Sequence, residues 1–106
     1  MAADSLPNHP SRLDPREFAQ YSPDKMGKAT IFKSDQMLVG LNAFEPGQEH
    51  KLHAHAGMDK LYSVIEGEEI PMAAGDLLVA PADIPHGIRN SSGARLLVLA
   101  VLAPSP

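Results

Sequence analysis

The chain has 106 residues, 43% of them hydrophobic, with ten prolines, eight glycines, no cysteine and a formal charge of −4. That length holds one domain with one modest core, and that composition excludes a disordered chain. The missing cysteines exclude a disulfide framework and a thiolate zinc site, and basic residues scattered through an acidic chain give no footprint for nucleic acid or a membrane surface.

In chain order, the opening MAADSLPNHP lacks the basic-then-apolar pattern of a signal peptide. The longest apolar run, Leu96 to Ala103, falls far short of the ~20 residues that span a bilayer. A cytoplasmic protein is therefore expected. Residues 1 to about 13, with Pro7 and Pro10, read as a loosely held arm. In DPREFAQY, Asp14 is an N-cap candidate, Pro15 suits the first helical position and Glu17 lies in the first turn, which predicts one or two turns of helix. We assign residues 1–23 to an N-terminal arm and 24–106 to a single barrel domain.

After Pro23 the pattern becomes strand-like. KATIFKS, QMLVGLNAFEPG, HKLHAH, KLYSVIEG, DLLVAP, GIRN and ARLLVLAVLAP are short and punctuated by Gly, Pro, Asp or Asn. Such spacing, with no convincing helix between the segments, predicts an all-β barrel or sandwich.

Three of the five histidines fall between positions 50 and 55. In a strand, residues two apart share a face, so His53 and His55 project together as a ready pair of ligands for a first-row metal. His50, three positions from His53, faces the other way in a regular strand. Downstream, GDLLVAPADIPHGIRN presents His86 from a loop stiffened by Pro81 and Pro85.

These two segments resemble the paired motifs of the cupin family, small double-stranded β-helix or jelly-roll barrels. Gly47, His53, His55 and Gly67 fall on the first motif. Gly75, Pro81, His86 and Asn90 fall on the second, with Asp83 in place of its middle glycine. The resemblance implies a metal held by His53, His55 and His86. Its fourth ligand, an acid, should stand where this chain has Lys60. Strand alternation groups Lys60 with Tyr62 and Val64, and Asp59 with Leu61 and Ser63. The usual register points the lysine into the barrel; a one-residue bulge, or the family's shorter spacing, would bring Asp59 to the ligand position instead.

Losing a carboxylate raises the charge of the site. It disfavours hard cations such as Mn²⁺ more than imidazole-preferring Fe²⁺, Zn²⁺, Ni²⁺ or Cu²⁺. Lys60 could hold an anionic substrate, or snorkel, or pair with Glu66 or Asp59. Tyr62 is a candidate proton donor or a core residue. Gln48 and His50 could support a ligand imidazole or face solvent, and Gly47 and Asn90 read as turn residues.

The resemblance implies a further pair of short strands between Gly67 and Gly75, but only seven residues separate them, about half of what such a hairpin ordinarily takes. The expectation is a barrel lacking that hairpin, or a chain lacking a segment. An exposed strand edge would invite a homodimer. The leading functional reading is a mononuclear metal-dependent enzyme, dioxygenase-like or an isomerase or lyase, acting on a small polar molecule. The alternative is a non-catalytic small-molecule-binding or sensing barrel, and a third is a metal-free barrel with relic histidines.

Overall fold

The capping signals at Asp14 act as the sequence suggests. Its side chain accepts a hydrogen bond from the Arg16 backbone N at 3.0 Å, Pro15 follows, and one turn of 3₁₀ helix runs over Pro15–Phe18. The structure, a computed structural model, describes residues 10–53, 56–69 and 72–106. Nine strands follow among these residues: β1 (Gly27–Lys33), β2 (Leu38–Phe44), β3 (Glu49–His53), β4 (Asp59–Glu66), β5 (Glu68–Glu69), β6 (Met72–Ala73), β7 (Leu77–Ala80), β8 (His86–Arg89) and β9 (Leu96–Ala103). No helix among the described residues is long and apolar enough to cross a membrane.

An antiparallel sheet of order β1-β2-β9-β4-β7 forms one wall, and β3 pairs with β8 in a second. The central strand, β9, is apolar along its whole length, and its first three residues are buried on both faces of the sheet. Leu96, Val98 and Ala100 point inward and pack with Phe44, Tyr62, Val64 and, from the opposite wall, Ile88. Leu97 points outward and joins Ile31, Leu41 and Ala43. Leu13, Phe18, Ala19 and Tyr21 cover this outer cluster. The segment from Leu13 on is thus docked, because the outer face of the sheet is too apolar to be left in water.

The hairpin expected to be missing is present in its smallest form. Glu68 pairs with Ala73 and Glu69 with Met72. Ala74 N donates to Gly67 O at 3.1 Å and Gly75 N to Val64 O at 3.0 Å, which closes the hairpin back onto β4. A side chain at Gly67, where φ is +85°, would run into the Arg95 carbonyl, so glycine is what lets the chain pass from β4 into β5 so close to Arg95.

Asn90 is more than a turn residue. It is fully buried, and its Nδ2 donates to Phe44 O at 3.2 Å and to Ala94 O at 2.8 Å. Its Oδ1 accepts from Ser92 N at 3.2 Å and from Ser92 Oγ at 2.6 Å. Its backbone N donates to Gln48 O at 2.8 Å, and its carbonyl accepts from Gly47 N at 2.7 Å. The turns before β3 and after β8 are thereby clamped together.

Replacing Asn90 by alanine strands buried carbonyls and should cost about 2–4 kcal/mol in urea denaturation. Ser92→Ala, which removes one partly exposed hydroxyl, should cost less than about 1 kcal/mol. Equal costs for the two would show that the clamp does not depend on the asparagine side chain.

Candidate functional site

From the clamp, β3 and β8 run in register: Glu49 lies opposite Arg89, His50 opposite Ile88, and His53 opposite His86. Three residues of β3 thus match two of β8, a one-residue bulge between His50 and His53. Residues directly opposite in an antiparallel pair share a face, and Ile88 and His86 are the buried positions of β8. His50 therefore faces the interior rather than away from it. The bulge reverses the alternation that a regular strand would impose.

His86 is buried, with its Nδ1 3.0 Å from the Ile84 carbonyl oxygen. A carbonyl oxygen can only accept, so Nδ1 carries the proton and, in the neutral ring, Nε2 carries the lone pair. That is the orientation and tautomer of a metal-ligating imidazole fixed by a backbone carbonyl. The backbone of His53 stands opposite it, while His55 lies outside the described residues. Among the described residues, no three His, Cys, Asp or Glu side chains come together as a metal cluster.

Strand β4 alternates strictly at its start: Asp59 is exposed and Lys60 buried. Asp59, the second candidate for the acid position, lies on the outside, where its Oδ1 accepts a hydrogen bond from Ala82 N at 2.8 Å. No bulge interrupts its pairing with Ala103 and that of Lys60 with Leu102. The irregularity in β4 comes later, between Val64 and Glu66, too late to swap the two residues. Lys60 is the interior residue.

The Lys60 ammonium sits 4.7 Å from the centre of the Tyr62 ring, a cation–π contact. The edge of Tyr62 in turn meets His86, with ring centres 5.8 Å apart and planes at 65°. Lysine, tyrosine and histidine thus form one interior row. Burial, helped by the charge of Lys28, lowers the Lys60 pKa to about 8. Burial pushes the Tyr62 phenol well above its usual value, so it stays protonated and can donate a proton or hydrogen bond but not act as a base at neutral pH. Its hydroxyl has no hydrogen-bond partner among the described residues.

Neither acid foreseen as a partner for Lys60 reaches it. Asp59 faces out, and Glu66 lies 4.0 Å from Arg16. Gln48 is a turn brace, accepting from Glu45 N at 2.9 Å and donating to Ser22 O at 2.7 Å.

Three residues of one cavity were not placed together by the sequence reading. Lys28 at its exposed mouth, Asn42 and His50 join Lys60 around about 280 Å³. Lys28 and Asn42 could have been found from strand alternation alone: Asn42 shares its face with Gly40 and Leu38, and pairs with Lys28. His50 could not, since the bulge leaves no mark in the composition of β3.

Residues 40–102 match the model of the cupin domain family. A crystallised protein of Thermus thermophilus is 42% identical, with a TM-score of 0.83 over 90% of this chain and 98% of its own. A cupin protein of Desulfovibrio desulfuricans is 26% identical, with a TM-score of 0.83 over 92% of this chain and 100% of its own. A Thermotoga maritima protein described as a predicted oxalate decarboxylase is 24% identical, with a TM-score of 0.70 over 74% of this chain and 80% of its own; its likeness is one of fold. The search of curated proteins found no match.

A lysine whose pKa is depressed on folding destabilises the fold while it is charged. Between pH about 8 and 10.5, the folded and unfolded values, the unfolded chain holds more protons and stability rises with pH. Lys60→Met should therefore raise the urea midpoint at pH 7, and its advantage over the parent should shrink as pH climbs through that window. A constant difference across the window would mean that the lysine is not desolvated.

Proposed function

This chain belongs to the cupin family, and from that premise we propose that it is a small metal-binding cupin, a mononuclear metal-dependent enzyme acting on a small polar molecule. The observation that supports this reading is the buried His86, its Nδ1 proton engaged by Ile84 O and its Nε2 the ring's lone-pair donor. His53, opposite it in register, and His55 would supply the other ligands. Bound to imidazoles alone, a divalent Fe, Zn, Ni, Cu or Mn ion would supply Lewis acidity and open coordination positions. With Lys60 in place of the acid, the soft end of that series is favoured over Mn.

The chain's own residues have separable tasks. His86 is oriented before any ligand arrives. Tyr62, kept neutral by burial, can give a hydrogen bond to a substrate oxygen. Lys60 offers positive charge to the same interior. Of the reaction classes, a dioxygenase-like oxidation comes first and isomerase or lyase chemistry second.

A second reading, binding or sensing without turnover, is favoured by one observation: the buried ammonium of Lys60 stands where an acid would complete the ligand set. Dioxygen consumption with added Fe²⁺ separates the two.

Protein purified without chelator should hold one metal per chain by elemental analysis, and His86→Ala should lose it. Undiminished metal in that variant would remove the ligand set argued here.

We read the protein as a cytoplasmic homodimer. At the sheet edge formed by β7, Leu77 and Val79 are 63% and 64% exposed. Val79 ends an outward row that runs through Leu61, Val101 and Val39 in register, an apolar surface that a second copy would cover. Light scattering should give twice the chain mass, and Val79→Lys should halve it. A monomeric parent protein would end this reading.

A further inference from the structure

The interior holds more positive charge than a metal site needs. The cavity of about 280 Å³ lies against β1, β2, β4 and β9 and is lined by Lys28, Thr30, Asn42, His50 and Lys60, with Leu38 and Leu102 among its apolar walls. Lys28 and Thr30 are exposed, at the mouth. Lys60 and Asn42 are 5% and 6% exposed, at depth.

Two features call for an anion. No salt bridge among the described residues joins a carboxylate to Lys60, and Lys28, a second cation, adds to the burial that disfavours its charged form. A buried ammonium without a counter-charge is costly. The Nδ2 of Asn42, more than nine-tenths buried, has no hydrogen-bond partner among the described residues. A buried amide donor left unpaired carries its own penalty. Both donors line one cavity, and one ligand that accepts hydrogen bonds and carries negative charge would satisfy both.

The walls narrow the ligand further. Leu38 and Leu102 flank Lys60, with Leu102 directly opposite it on β9 and Leu38 next in the row on β2. An inorganic anion has nothing to place against them, whereas an organic acid does.

We propose that this cavity binds a small organic carboxylate, its anionic group held by Lys60 and Asn42 and its hydrocarbon body against Leu38 and Leu102. The proposal rests on the barrel interior being a ligand site, and it names the substrate class. It does not need the metal.

The test is calorimetric titration of sodium butyrate at pH 7 and constant ionic strength, on protein as purified and after dialysis against EDTA. Butyramide and inorganic phosphate serve as comparison ligands. Saturable one-to-one binding of butyrate to both preparations is expected, with no binding of the uncharged amide. Lys60→Met should weaken it about tenfold or more. Asn42→Asp, which keeps the side-chain volume and places a carboxylate in the cavity, should do the same.

The proposal is overturned if butyrate does not bind, if both variants bind it as the parent does, or if phosphate displaces it at lower concentration. Butyrate binding that survives EDTA in a protein without metal would sustain this proposal while the metal reading fell. A full metal complement with no butyrate binding would do the reverse.

Discussion

The architecture of the interior depends on the clamp made by Asn90. Two turns from distant parts of the chain, before β3 and after β8, each present backbone groups that sit away from water and must be paired. One fully buried amide side chain and its own backbone N–H and C=O meet that need, reaching Phe44, Gly47, Gln48 and Ala94. Once Gly47 and Gln48 are tied to Asn90, Glu49 starts opposite Arg89 and the register of the small sheet follows. The opposition of His53 and His86 is therefore inherited from hydrogen bonds made several residues away. A polar side chain at zero exposure is tolerable here because both of its ends are occupied.

Much of this was legible in the sequence, for reasons that differ from element to element. The strands were readable because period-two alternation and turn residues are local properties, and β4 shows it well: Lys60, Tyr62 and Val64 are buried while Asp59 is exposed. The choice between Asp59 and Lys60 had to wait for the structure. It turned on whether a bulge fell before them, and bulges are decided by pairing partners rather than by composition. The same blindness misplaced His50, because the bulge that exists lies in β3. The minimal hairpin after Gly67 was missed because ordinary hairpin lengths were assumed. Two strands of two residues each, closed back onto β4 by Ala74 N and Gly75 N, fit in less. The docking of Leu13, Phe18 and Tyr21 is a tertiary effect, visible only once the outer face of the sheet is seen to be apolar.

The interior row of Lys60, Tyr62 and His86 departs from what stability alone would select. A methionine at position 60 would fill similar volume without desolvating a charge, and the Tyr62 hydroxyl is buried with no partner among the described residues. Both choices weaken the fold locally, and both put hydrogen-bond donors where a ligand would meet them. Local rules broken without a structural return concentrate at functional sites, and here they concentrate in a single interior row, of which Lys60 reaches the cavity wall.

Seen electrostatically, the substitution of lysine for an acid reverses what the interior asks of its ligands. A carboxylate at that position would lower the charge of a metal site by one unit; an ammonium raises it by one and adds repulsion between the two cations. On the reading proposed here, an organic anion bound at Lys60 cancels that repulsion, so anion and metal each make the other easier to bind. Linkage makes this reciprocal: whatever factor the anion contributes to metal affinity, the metal contributes to anion affinity. On that reading, the negative charge that an acid would have provided comes from solution rather than from the chain itself.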